Sequence, residues 1–386
     1  MDRCLLFDLL EYPICPAGDG NLVVFDGPGA LRQVALRGTE NQIVDVARDQ
    51  SMHPALVTRR DVCLLKGGGR QLTFATDRFG QMLDFSDVYP NAVFGSSSSD
   101  GRSMPFLALN TLRGVWIMEV TDDGVIVIAN EPLPFLISSY WEQQGTPTFG
   151  GASVRLAQVG SDGDPEYAVG APYILTVEGS HPSRRILARP LSERLPLDRW
   201  VDSAPENVRD NPRFTKAVDP EMCLAGEADR VAIALTGLYD WYDPLDVRAR
   251  FFDSCEMFGL IVGRPSMGTI ERVTSHVCAV ASLRTRSGHY LYIGENVGRG
   301  AELAGLQRVR LDAEPAGEPL QLTGIDTSLR CKSFRPCFHP CIGYFGTLGA
   351  GTGSDAGATY FVHSDDGLKW SVVGTRNRVK VVDPAT

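Results

Sequence analysis

The run Thr359-Tyr-Phe-Val-His-Ser-Asp-Asp-Gly-Leu-Lys-Trp370 limits what this chain can fold into more than any other segment. An apolar strand leads into Ser364, Asp365-Asp366-Gly367 makes a tight turn, and Trp370 opens the returning strand. Asp and Gly tolerate the positive φ that such a turn needs, so this spacing predicts a β-hairpin. Ser364 and Asp366 are placed to cap the turn's amides, with Trp370 packing beneath.

The rest of the chain agrees with a fold of many short strands. Its 386 residues carry 40 glycines and 24 prolines. β-branched and aromatic runs ending in Gly, Asp or Asn predict strands at 22–25, 31–36, 62–65, 71–75, 115–120, 125–129, 153–159, 173–177, 230–235, 258–262, 278–283, 290–294, 308–311 and 360–363. Helices are expected only at 195–201 and 301–306. Loops are expected at 94–102, 144–152, 160–166, 203–214 and 346–358, the last as a mobile surface loop.

A weak repeat runs beneath the strands. Ser51-Met-His-Pro-Ala-Leu-Val57 resembles Ser103-Met-Pro-Phe-Leu-Ala-Leu109, and segments at 170–175, 218–224, 275–280 and 335–340 have a related character. Each pairs a small or Pro-containing start with an apolar strand, a turn and a second strand, at a spacing of roughly 50 to 60 residues. The expected fold is all-β, a β-propeller of about five to six blades, with a β-sandwich type as the alternative. Residues 1–386 are expected to form a single domain. The segment 376–382 is expected to pair near the N-terminus and close the ring.

The Ser-x-Asp-Gly-x-x-Trp pattern at 364–370 resembles the blade hairpin of sialidase-like Asp-box propellers and of five-bladed glycoside-hydrolase propellers. That resemblance implies a propeller fold and a structural role for Asp366. A hydrolase of this kind needs paired carboxylates at inner-strand starts. Here the openings at Ser51 and Ser103 carry no acid, and only Asp219 and Glu221 stand at such a place, with Glu256 as partner. The three arginines and Tyr/Glu nucleophile pair of a sialidase cannot be assigned.

The densest binding candidate is Gly237-Leu-Tyr-Asp-Trp-Tyr-Asp-Pro244, followed by Arg248 and Arg250. Tyr239, Trp241 and Tyr242 offer stacking faces, while Asp240, Asp243 and Arg250 offer partners for hydroxyls. The competing reading is a connecting loop whose rings pack on the rim. Cys331, Cys337, His339 and Cys341 include metal-ligand types, but they lack paired-knuckle spacing and read better as buried thiols. Asp162 to Glu166 reads as a solvated turn rather than a calcium loop. Lys66-Gly-Gly-Gly-Arg70 lacks the order of a phosphate loop and reads as a hairpin turn. His53, His276 and His339 lie at apolar strand starts, where a hydrogen-bonded core imidazole is the commoner state.

A formal charge of −10 argues against a nucleic-acid surface. No run approaches the ~18 apolar residues of a membrane span. The opening ten residues, broken by Asp2 and Asp8, do not read as a signal peptide. The nine cysteines lack a disulfide-scaffold spacing. The expectation is a cytoplasmic protein or a virion or tail component, with a non-catalytic propeller for glycan recognition, attachment or assembly. A five-bladed glycoside hydrolase and a protein–protein scaffold are the alternatives. No cofactor or metal is expected. Partners would be a glycan or other protein subunits, without nucleic acid or membrane insertion.

Overall fold

A computed structural model describes the backbone of the strands named below. It describes side chains over parts of 13–34, 106–128, 146–151, 173–193, 230–231, 263–269, 281–294, 302–311, 317–352 and 357–376. Among them there is no α-helix, and none long and apolar enough to cross a membrane. The described strands form seven successive four-stranded units.

Unit 1 begins with β1 (Ile14–Gly18), β2 (Asn21–Gly27) and β3 (Ala30–Ala35). Unit 2 comprises β4 (Ile43–Arg48), β5 (Pro54–Thr58), β6 (Asp61–Lys66) and β7 (Gly69–Thr76). Unit 3 comprises β8 (Val88–Ser97), β9 (Met104–Thr111), β10 (Gly114–Val120) and β11 (Val125–Glu131). Unit 4 comprises β12 (Phe135–Gln143), β13 (Thr146–Val159), β14 (Pro165–Glu178) and β15 (Arg185–Pro190). Unit 5 comprises β16 (Leu224–Glu227), β17 (Arg230–Leu238), β18 (Cys255–Arg264) and β19 (Thr269–Ser275). Unit 6 comprises β20 (Val277–Thr285), β21 (Gly288–Asn296), β22 (Ala301–Arg310) and β23 (Gly317–Pro319). After β24 (Gln321–Thr323), unit 7 comprises β25 (Arg330–His339), β26 (Gly343–Gly351), β27 (Ala358–Ser364) and β28 (Lys369–Thr375). The last strand, β29 (Val381–Val382), lies parallel to β3 and supplies the fourth strand of unit 1.

At five seams the first strands of neighbouring units touch in chain order. β4 touches β1 and β8, β12 touches β8 and β16, and β20 touches β25. Unit 5 meets unit 6 through β17 and β18 against β20, and unit 7 returns to unit 1 through β26 on β1 and β28 on β3. The path of neighbours therefore closes on itself, which is the arrangement of a β-propeller and not of two face-packed layers. Parallel pairing of β29 with β3, of β7 with β11 and of β24 with β28 covers outer edges that would otherwise be open.

Among the described residues, apolar side chains fill three seams between units. Cys15, Val23, Phe25, Phe345 and Phe361 join unit 1 to unit 7. Phe106, Ala108, Ile117, Phe149, Leu175 and Val177 join unit 3 to unit 4. Tyr292, Leu306, Phe334, Leu348, Val362 and Trp370 join unit 6 to unit 7. A sheet covered on both faces reads as nearly continuous apolar sequence, which is why first and second strands look alike at the sequence level.

That likeness accounts for the expected five to six blades falling short of seven units. The repeat openings at 51–57 and 103–109 lead into second strands, whereas those at 218–224 and 275–280 lead into first strands. They are therefore out of phase. The helix expected at 301–306 is instead the first half of β22, with Leu303 and Leu306 both buried in the seam. Packing overrides a weak local helical preference there. Most of 144–152 and the first part of 346–358, expected as loops, are strands of β13 and β26. Their glycines suggested turns, but Gly346 needs to be small because an added Cβ would lie 2.2 Å from the Arg335 carbonyl oxygen. The expected loop at 94–102 likewise begins inside β8, whereas 195–201 and 203–214 lie outside the described residues.

Candidate functional site

Antiparallel order gives each unit two ends. The first strand starts, and the second passes to the third, at the leading end. The turns from first to second and from third to fourth strand lie at the trailing end.

The Asp-Gly hairpin is a trailing turn of unit 7. The amides of Leu368 and Lys369 each donate to Asp366 Oδ1 at 2.8 Å, and the Ser364 hydroxyl donates to it at 3.1 Å. Gly367 N donates to Ser364 Oγ at 2.8 Å, and Trp370 Nε1 donates to the Gly367 carbonyl at 3.0 Å. Gly367 has φ of 74°, which suits a residue without a Cβ. Partial burial pushes the Asp366 carboxyl up, but the Lys369 and Leu368 amides and the Ser364 hydroxyl outweigh it and hold it below 3.8. Trp370 is buried and meets Phe334 edge-on at 5.2 Å and Tyr292 at 6.1 Å.

Unit 6 grips this turn. Arg308 on β22 donates from Nη1 to the Asp366 carbonyl at 2.6 Å, while its Nη2 and Nε reach Glu318 Oε2 at 2.9 and 3.2 Å. Its guanidinium lies 4.7 Å over the Tyr290 ring. The Tyr292 hydroxyl donates to the Gly367 carbonyl at 3.3 Å, and burial pushes its phenol far above the ordinary range. These groups are satisfied by one another, so the cluster acts as a latch between units. Sequence reading missed Arg308 and Glu318 because they lie far from the turn in sequence.

The nearby cysteines and histidines do not converge. A β-bulge between Cys331 and Ser333 reverses the alternation of β25. Cys331 therefore packs toward unit 6 and Cys337 toward unit 1. The Cys341 amide donates to His339 Nδ1 at 3.2 Å, and His363 Nε2 makes a short hydrogen bond with the Ile342 carbonyl. No group of three or more metal-ligand side chains forms among the described residues. His53 and His276 lie outside them. Lys66 pairs with Gly69 across a hairpin, as its glycine run predicts.

The candidate ligand residues belong to unit 5. Asp219, Glu221, Tyr239, Asp240, Trp241, Tyr242, Asp243 and Arg250 lie outside the described residues. Their attachment points do not: Leu224 starts β16, Leu238 ends β17 and Cys255 starts β18. Leu238 pairs with Cys255 and Gly237 with Glu256, at the leading end where β16 begins. Glu256 is therefore on a third strand, two removed from β16, the strand that follows Asp219 and Glu221 in sequence.

A second polar cluster, also missed, lies in the seam between units 3 and 4. Glu119 on β10 is almost wholly buried, and its Oε2 lies 3.0 Å from Nε of Arg184. That contact is ionic and not a directed hydrogen bond. Glu119 Oε1 accepts no hydrogen bond among the described residues. The Arg184 guanidinium also sits 5.3 Å over the Phe106 ring. The signal was a single acid inside the apolar strand Gly114–Val120.

No family model matches the chain, and no curated protein matches it. Solved structures similar to it include the apocarotenoid oxygenase of Synechocystis, at 11% identity and a TM-score of 0.47 over 92% of this chain and 84% of that one. A chimera of apocarotenoid oxygenase and RPE65 shows 12% identity and a TM-score of 0.45 over 94% and 89% of the two chains. The extracellular domain of a putative one-component system from B. thetaiotaomicron shows 10% identity and a TM-score of 0.40 over 97% and 41%. Likeness at this level transfers no activity. The similar chains include named oxygenases, which are enzymes, in contrast to the expectation of a non-catalytic propeller for glycan recognition, attachment or assembly, and that expectation is not carried further.

Proposed function

We propose that the chain binds a small organic cation at the leading end of unit 5. The carrying observation is the convergence of β16, β17 and β18 there, which tethers the segments on either side of Leu224, Leu238 and Cys255 to one end of one sheet. Leaving out the trailing turn between β16 and β17, the chain from Asp219 to Glu256 has seven carboxylates against two arginines, a net of −5 where the whole chain has −10. The same stretch carries Tyr239, Trp241 and Tyr242. Aromatic faces beside excess carboxylate attract an ammonium group through ring quadrupole and charge together, with Trp the strongest face. In this reading Trp241 is the platform, with Tyr239 and Tyr242 as flanking faces. Asp219, Glu221, Asp240, Asp243 and Glu256 supply the negative field, and Arg250 tempers it.

Titration calorimetry with tetramethylammonium and with butylammonium tests this. Binding is expected at concentrations up to about 10 mM, weakened by added salt and lost in Trp241→Ala. Absence of heat for both cations from folded protein overturns the reading. So does unchanged affinity in Trp241→Ala.

A further inference from the structure

We propose that the ring opens between units 3 and 4, the two sheets parting at their trailing end while the rest of the molecule stays folded. Backbone pairing ties other seams. β7 pairs with β11 across units 2 and 3. β22 pairs with β25 across units 6 and 7, and β24, which follows unit 6, pairs with β28 of unit 7. β29, which follows unit 7, completes the sheet of unit 1. Among the described strand pairings none crosses from unit 3 to unit 4. Of the seams without such pairing, this is the one whose described side chains include an unsatisfied buried oxygen.

Side chains alone therefore hold this seam. Phe106, Ala108 and Ile117 of unit 3 meet Phe149, Leu175 and Val177 of unit 4. Glu119 stands opposite Phe106 on the neighbouring strand, at the trailing end, and the Arg184 guanidinium lies over the Phe106 ring. Glu119 is almost wholly buried, yet its Oε1 accepts no hydrogen bond among the described residues. Its Oε2 meets Arg184 Nε through charge alone. The closed seam thus takes hydration from both groups and replaces only part of it. Parting the sheets returns water to the carboxylate and the guanidinium and breaks no backbone hydrogen bond within either sheet. Burial of the six apolar residues is what opposes it.

Thiol labelling tests this. Ala108→Cys and Val177→Cys place one reporter on each side of the seam, at positions 1% and 3% exposed. Native Cys15, fully buried in the seam between units 7 and 1, is the clock for global unfolding in the same molecule. Each full-length variant is treated with iodoacetamide in native buffer, quenched at intervals and mapped by peptide mass. Both introduced thiols should label at least about tenfold faster than Cys15. Urea up to about 1 M should accelerate them little and Cys15 steeply. Introduced thiols that label no faster than Cys15 overturn the proposal, because the ring then opens only by unfolding altogether. Fast labelling on one side alone also overturns it, since that is fraying of one sheet. Ala350→Cys, in the seam between units 6 and 7, should label at the rate of Cys15. A rate there equal to that of the Ala108→Cys reporter overturns the proposal as well. Because each molecule carries its own clock, destabilisation by a substitution speeds both rates and leaves their ratio readable.

Discussion

The seams between units 6 and 7 and between units 3 and 4 fill the same place in the propeller in different ways. In the first, every member of the Arg308, Glu318, Asp366, Ser364 and Tyr292 cluster has a partner, and Trp370 fills the space beneath. In the second, Glu119 and Arg184 are drawn together by charge, but an oxygen of Glu119 is left without a hydrogen bond among the described residues. A satisfied polar network specifies how two blades meet. A buried ion pair with poor hydrogen-bond geometry holds them at a cost in desolvation that its attraction barely offsets.

The largest expected effect breaks the first seam through its apolar base. Trp370→Ala should cost about 3–5 kcal/mol, read as a lowered midpoint in denaturant unfolding, because the cavity opens between the rings of Tyr292, Phe334 and Tyr344. A loss under 1 kcal/mol would mean that the seam is not the stabilising contact. Next, Glu119→Leu should cost about 3 kcal/mol by removing the carboxylate that faces the half-buried Arg184 guanidinium, while Glu119→Leu with Arg184→Met should recover most of it. If the double variant is as unstable as the single one, the pair contributes more than charge. Gly367→Ala should cost about 1–3 kcal/mol, since its Cβ would lie 2.9 Å from Arg308 Nη1 at a φ of 74°. Thermal melts of that variant alone and combined with Arg308→Ala separate the backbone strain from the clash.

The smallest effect is on pH dependence. The Asp366 carboxyl titrates lower in the folded protein than in the unfolded chain. Its contribution is therefore complete above about pH 4 and is lost as the pH falls through the folded value. Asp366→Asn should flatten that acid limb of stability while changing little near neutrality. An unchanged acid limb would place the sensitivity elsewhere.

Local chemistry was readable from residues alone. Asp366, Gly367 and Trp370 lie within five residues, and their turn needs only its own amides and one strand on each side. The strand-rich character was equally legible, because β-branched runs and turn residues act locally. The number of units was not, since first and second strands are both covered on two faces and carry the same apolar signature. Nor could the sequence show the one-residue bulge between Cys331 and Ser333 that sends Cys331 and Cys337 to opposite seams. The candidate site was legible only as chemistry: the aromatics and acids of 219–256 could be named, but not that three strand ends bring their tethers together.

What the sequence determined by itself was therefore the short-range part: hairpin turns, strand density, charge and the absence of a long apolar run. Which strands neighbour one another, which thiols share a seam and which carboxylate meets Arg184 were decided only in the folded ring. Those pairings join residues tens to hundreds of positions apart, and their free energy comes from burial and desolvation that no local window of sequence contains.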